Sequence, residues 1–338
     1  MAMATAPARE LKRSARLQIS RGMKTVLIGT VILYIASAFL APTSVSKVAQ
    51  MGMLPFAACL AIIGLGQTLV IQQGGIDLSV AGAVSLTVVI VTWGPDRNDD
   101  RLMPAVGAAF AAAIITGLIN GFLVTKTKLN SIVATLGVNA LLYGVMMGLS
   151  GGSPRRTTDR LSHFANDKTF GLPHSIYFGI ILTIIVTVLL KRTVFGRRFE
   201  AVGANPRAAH ATGLKIIRYQ IGAYVAAQIL YCAAGVILGG VISQPTAYQG
   251  DDYVLPSVAI VVLGGTSLLG GRGFPAASAL AALFLKQLDM FVLSLGVPYG
   301  VRTIVISFSL MLGIALYAVN WKSAKFSFKK PDKELHLV

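Results

Sequence analysis

Long apolar runs, most of them close to twenty residues, follow one another along almost the whole chain, parted by short polar connections. A run of about 18 or more apolar residues has the length of a helix that crosses a bilayer. The pattern predicts ten spans, at 24–41, 52–73, 78–93, 103–124, 131–149, 172–190, 216–240, 254–270, 274–295 and 300–320. An all-α polytopic membrane protein is therefore expected, with a basic segment 1–23, one membrane domain 24–320 and a basic tail 321–338. The first run follows basic residues and carries Ala36-Ser37-Ala38, as a cleaved signal would. Because further runs follow, an uncleaved first helix is expected.

Two polar stretches break the rhythm. Ser150–Gly171 is longer than most loops in compact proteins, so it should form a short helix or bind something. The other is "FGRRFEAVGANPRAAHATGLK", Phe195–Lys215, within the loop 191–215 between two long spans. Asn205 suits an N-cap, Pro206 the first helical position and Gly213 the left-handed stop. "PRAAHAT" between them predicts a helix of about two turns, which is marginal by itself and needs a neighbour. Its small faces, Ala208, Ala209, Ala211 and Thr212, with Arg207 and His210 for polar contact, suit a plug entering a groove on another protein. A connector lying against the membrane is the plainer possibility.

Composition agrees with the membrane reading. Of 338 residues, 54% are apolar and 13% charged, against about 25% charged in soluble domains. The net charge of +17 is unevenly placed. With the N-terminus in the cytoplasm, 21 Lys and Arg fall in inward segments and seven outside, which is the positive-inside bias and puts both termini in the cytoplasm. A nucleic-acid partner would need a basic, aromatic-bearing face on a soluble module, so none is expected. Cys59 and Cys232 both lie in apolar runs and read as small core residues.

No catalytic, cofactor-binding or metal-ligating constellation is expected. "GGTSLLGGRG", Gly264–Gly273, lacks the Gly-Lys-Ser/Thr ending and preceding strand of a phosphate loop. Polar residues within apolar runs are few, and such residues usually face a bundle interior or cavity. Gln67, Asp77, Ser79, Asn120, Asn139, Gln228, Lys286, Asp289 and Arg302 are the candidates for a translocation path. Asp77 either caps the helix after it or lies at a break that lines the route. Lys286 and Asp289, three apart, are expected to pair on one face. With Arg302 they would form a cluster near the outer mouth that favours polar or anionic cargo.

"GRRFEAVGANPRAAHATGLK" resembles the cytoplasmic loop of the ribose-type permeases, the membrane subunits of ATP-binding-cassette (ABC) importers for sugars. "GQTLVIQQGGIDLSVAGAVSL", "LINGFLV", "IVATLG" and "AIVVLGGTSLLGGRG" are similar to further stretches of that family, in the same order. The resemblance implies a ten-span fold like the type II importer subunits, in the bacterial inner membrane. It implies a coupling surface of Arg198, Glu200, Asn205, Pro206, Arg207, Ala208, Ala209, His210 and Gly213 against an ABC ATPase subunit that carries the ATP and Mg. It also implies a second permease copy or homologue, and a periplasmic binding protein docking on outer loops. Arg155, Arg156, Arg160, Asp251 and Asp252 are the candidate charged contacts for that docking. Ala81 stands where the family usually has Gly, which leaves close backbone approach there open.

The expected cargo is a monosaccharide of pentose or hexose type. The same scaffold could import a nucleoside, an autoinducer or an amino acid. A secondary transporter working without an ATPase would need two matching sets of broken helices, and none is visible in the sequence.

Overall fold

The computed structural model describes residues 21–311 apart from 154, 299, 306, 309 and 310. Residues 1–20 of the basic segment, residues 312–320 of the tenth predicted span and the tail 321–338 lie outside the described residues. Helices run in the order α1 (Arg21–Leu40), α2 (Lys47–Gln72), α3 (Val80–Trp93), α4 (Leu102–Thr125), α5 (Ser131–Ser150) and α6 (Asp159–Asn166). They continue as α7 (His174–Arg192), α8 (Val194–Ala204), α9 (Pro206–Ala211), α10 (Ile216–Val241), α11 (Val254–Leu263) and α12 (Pro275–Ser294), and residues 300–305 are again helical.

Among the described residues, seven helices are long and apolar enough to cross a membrane: α1, α2, α4, α5, α7, α10 and α12. The segments predicted at 78–93 and 254–270 contain α3, with 14 residues, and α11, with 10. At about 1.5 Å per residue, neither reaches across the ~30 Å hydrocarbon layer alone. Each is preceded by irregular backbone, 73–79 before α3 and 242–253 before α11. The irregular stretches fall at the predicted connections, and what apolar length could not reveal is that the helices beside them are this short.

The apolar all-round character of α2 explains its place at the centre, buried along most of its length. It packs against α10, α12, α7 and α11, while α3 fills the angle between α10, α4 and α5, and α1 lies along α12. Ile28, Phe39, Val133, Leu141, Ile184 and Val188 face outward from α1, α5 and α7, as lipid-facing side chains should.

Close packing of α4 on α10 rests on missing side chains. A Cβ at Gly117 would lie 2.5 Å from Val225 Cα, and one at Gly121 2.9 Å from Ile221 Cα. Small residues at such contacts let helices approach where lipid supplies no hydrophobic drive.

The long stretch 150–171 forms the short helix that its length predicts. Thr158 caps α6, Leu161 and Ala165 are buried, and Asn166 Nδ2 donates to Gly240 O of α10 at 2.9 Å. A two-residue antiparallel pair, Lys168–Thr169 with Leu172–Pro173, then turns the chain into α7.

Gly117→Leu should force α4 from α10 and destabilise the protein by about 1–3 kcal/mol, as overpacked cores do. Thermal unfolding of the detergent-purified chain measures this, and Gly137→Leu, at an open position, should leave the midpoint unchanged.

Candidate functional site

The interruption between α2 and α3 is built from polar groups that the sequence scatters over 150 residues. Gly74 takes φ +83° and turns the chain out of α2. Gly75 N still reaches Val70 O of α2, but the N–H groups of Ile76, Asp77 and Leu78 have no helical partner, and a bilayer offers no water to satisfy them. One face of α5 supplies acceptors: Ser131 Oγ to Ile76 N at 3.1 Å, Thr135 Oγ1 to Leu78 N at 2.9 Å, and Asn139 Oδ1 to Gly82 N at 2.7 Å. These three stand four residues apart, so one helix face carries all of them.

Asp77 closes the arrangement. Its Oδ1 accepts from Ser79 N at 2.9 Å and from Ser79 Oγ at 2.6 Å, and its Oδ2 accepts from Gln228 Nε2 at 3.0 Å. Ser79 Oγ also accepts from Asn120 Nδ2 and Gln228 Nε2, both at 2.8 Å. The Gln67 carboxamide, with its oxygen toward Asp77 N and its nitrogen toward Asp77 O, meets both at 3.2 Å. Asp77, Ser79, Asn120, Gln67 and Gln228 are each fully buried. Asp77 therefore holds Ser79, the residue at the N-terminus of α3, and ties it to α10, while the break itself is sealed inside one chain.

Ala81, where close approach was in question, is met by another segment. Gly250 N donates to Ser85 Oγ at 2.8 Å, and a Cβ on Gly250 would sit 2.1 Å from Ala81 O. The glycine needed at this crossing lies on the opposite strand of chain.

That strand is the irregular half before α11. It starts at Ser243, whose carbonyl accepts from Thr157 N and which shares a polar cleft with Asp96, Arg97, Arg155 and Arg156. It ends at Tyr253, whose ring lies 5.4 Å from Lys286 Nζ. Lys286 is the twelfth of the twenty residues of α12, so the chain descends well into the bundle before α11 begins.

The descent leaves a polar face open. Asp251 accepts from Tyr143 OH, the Tyr143 and Tyr248 rings pack edge to face at 5.3 Å, and Tyr248 OH reaches Met147 Sδ at 3.5 Å. Asp251, Asp252 and Tyr248 are exposed in the single chain. Asp251 and Asp252 follow Gly250, which contacts the first turns of α3, whereas Arg155 pairs with Asp96 beyond the far end of α3. The two carboxylates are therefore set apart from the arginine cluster with which they were grouped.

The expected Lys286–Asp289 pair does not form. Asp289 Oδ1 instead takes Arg302 Nε at 2.6 Å and Nη2 at 2.5 Å, because the guanidinium fork from the following helix fits a carboxylate better than an ammonium on the same helix. Lys286 turns toward Tyr253.

At the connections around α6, Arg155 Nη1 meets Asp96 Oδ1 at 2.5 Å with its guanidinium over Trp93, and Arg160 N donates to Asp99. Arg156 is exposed. His163 Nδ1 lies 3.1 Å from Asp167 Oδ1, and that carboxylate holds the imidazole above its ordinary range.

The polar loop at the other end folds as its residues dictate. Asn205 Oδ1 accepts from Ala208 N at 3.1 Å, Pro206 opens α9, and Gly213 takes φ +83° beyond it. α9 has six residues, shorter than two turns. Pro206, Arg207, Ala208, His210 and Gly213 are exposed, and Ala209 alone of α9 is buried. Arg198 is exposed on α8, and Glu200 lies 3.6 Å from Lys191.

The family described as the branched-chain amino acid transport system permease component matches residues 51–319. The chain belongs to this family. It is 32% identical over 294 residues to the ribose import permease RbsC of Bacillus subtilis, covering 86% of this chain and 90% of that one. Against the ribose import permease of Escherichia coli K12 it is 33% identical over 261 residues, 75% and 80% of the two chains. It is 30% identical over 276 residues to the autoinducer 2 import permease LsrC of Escherichia coli HS, 81% and 80% covered. No solved structure matches the chain. It is thus a multi-pass ABC importer permease of the branched-chain and ribose family, a membrane subunit whose relatives are named for two cargoes.

Sequence reading missed Ser131 and Thr135, Tyr143 and Tyr248. The row Ser131, Thr135, Asn139 was visible as a four-residue polar repeat on an apolar helix. Nothing in the sequence indicated where Tyr248 would meet Tyr143.

Gln228→Leu should remove two hydrogen bonds from the Asp77–Ser79 pair, one of them to a charge, and cost about 2 kcal/mol. Chemical denaturation in detergent measures the loss, and the double variant with Asp77→Asn should be less than additive.

Proposed function

We propose that this permease forms half of an import path for a small, uncharged, hydroxyl-rich solute, a monosaccharide, handed over by a periplasmic binding protein and driven by a separate ATPase that carries ATP and Mg. The observation that carries the cargo reading is the face of half-buried Tyr143 with exposed Asp251 and Tyr248, deep in the bundle beside Asp252. A carboxylate facing lipid at such depth costs about 2.5–3.5 kcal/mol even on mild insertion scales. Such a face is stable against water and a second copy of the chain.

Its charge decides the class of cargo. Arg302 is neutralised by Asp289 and Lys286 is turned under Tyr253, so the charge presented here is negative. Carboxylate and phenol groups accept hydrogen bonds from hydroxyls and disfavour anions. Of the polar or anionic cargo inferred from Lys286, Asp289 and Arg302 in the sequence, this reading keeps the polar one. The names of the ribose permeases support a sugar, and that of LsrC supports autoinducer 2 as the second reading.

At the basic end, the exposed, capped α9 serves as the knob that the ATPase grips. Arg155, Arg156 and Arg160 at the other end serve as contacts for acidic groups of the binding protein. The buried polar set around Asp77 stands behind the path and holds its wall. Interrupted helices also occur in carriers that work alone, and uptake by the purified chain without nucleotide would favour that mechanism.

Asp251→Lys should lower ATP-driven uptake of ribose into proteoliposomes roughly tenfold or more, the worth of one hydrogen bond to a charge. Retention of the ATPase subunit on purification should be unchanged. Ala208→Glu should lose the ATPase from the purified complex, and ATP-driven uptake with it. An Asp251→Lys protein with full uptake refutes the cargo path, and an Ala208→Glu protein that keeps the ATPase refutes the knob.

A further inference from the structure

The glycine motif Gly264–Gly273 has no role in the reading so far, yet it meets the coupling loop and the end of α2 at one point. Gly271 N donates to Gln72 O at 2.9 Å, and Gln72 Nε2 donates back to Gly271 O at 3.0 Å. Gln73 Nε2 donates to Phe199 O of α8 at 2.9 Å. Backbones touch here without side chains between them: a Cβ on Gly203 would lie 2.0 Å from Gln72 O, and one on Gly271 2.9 Å from Ala204 Cα. Two segments distant in sequence thus close around the end of α2.

On one side of this contact, Ala204 ends α8 and Asn205 begins the cap of α9. On the other, the chain passes from Gln73 through Gly74 and Gly75 to Asp77. A shift of α8 therefore reaches the interrupted span within about five residues, through direct hydrogen bonds. The joint is also incompletely bonded. Gln72 Oε1 and Gln73 Oε1 are buried and accept no hydrogen bond among the described residues. A buried acceptor without a partner is costly and marks a place where a second arrangement can gain what the first lacks.

We propose that Gln72 and Gln73, clasped by Gly271 and Phe199, are the positioning residues that convert movement of α8 and α9 into movement of the α2–α3 break. The proposal rests on the reading of α9 as the ATPase contact. Transmission through the joint needs the amide donors on α2, and the glycines are there so that backbone can meet backbone. The phosphate-loop likeness of the motif has the same origin, since glycines that free N–H groups for an anion here free Gly271 N for Gln72 O.

The test uses the full importer, with ATPase subunit and ribose-loaded binding protein, in proteoliposomes. Gln73→Met keeps the side-chain length and removes the donor, while Gln73→Lys restores a donor at that reach. Three quantities are read: ATPase retained on purification, ATP hydrolysed, and ribose taken up. Gln73→Met should keep the ATPase and its hydrolysis while uptake per ATP falls roughly tenfold, within the range by which coupling residues act. Gln73→Lys should recover most of that ratio. If uptake and hydrolysis fall together, if the complex no longer assembles, or if uptake per ATP is unchanged, the joint is only structural and the proposal fails. Ala208→Glu run alongside separates the two ideas: an ATPase still bound there sinks the knob, whatever Gln73→Met does.

Discussion

Backbone that leaves a helix inside a bilayer must find every hydrogen-bond partner within the protein. That constraint shapes the centre of this permease. Between α2 and α3 the chain gives up helical bonds for several residues, and side chains from α5 replace them, while Asn120 of α4 and Gln228 of α10 bond to the side chains of Ser79 and Asp77. Because these partners come from three helices, the break binds the bundle together. Asp77 contributes most, since a carboxylate accepts several hydrogen bonds at once and each is stronger for the charge.

The second interruption works differently. The segment before α11 crosses the first turns of α3, where Gly250 lies against Ala81, and presents its acidic and aromatic groups outward. One break is sealed by polar groups turned in, and the other exposes polar groups at similar depth. Proximity links them: the sealed break holds the start of α3, and α3 supports the segment that carries Asp251. A wall of this kind can move as one piece when the end of α2 is displaced.

Both ends of the molecule use short elements held by capping and by neighbours. α6 stays on α10 through Asn166 and its buried Leu161. α9 leans on the rest through Ala209, and its other residues are exposed.

The sequence by itself determined the membrane character, most of the long helices, the capped form of α9 and the family. Each depends on local facts: apolar length, an N-cap three residues before its amide, a glycine where φ must be positive, and motifs in order. Asp77, Ser79, Asn120 and Gln228 were also legible as candidates, because a polar residue in an apolar run stands out. Their roles were not. Whether such a residue lines a path or seals a break depends on which neighbours fill its hydrogen bonds, and those come from helices 40 to 150 residues away. Partner choice was decided the same way, when Arg302 on the following helix outbid Lys286 for Asp289. The shortness of α3 and α11, the depth of Asp251 and the meeting of Gln72 with Gly271 belong to tertiary structure alone, since hydropathy counts apolar residues and is blind to where the backbone turns.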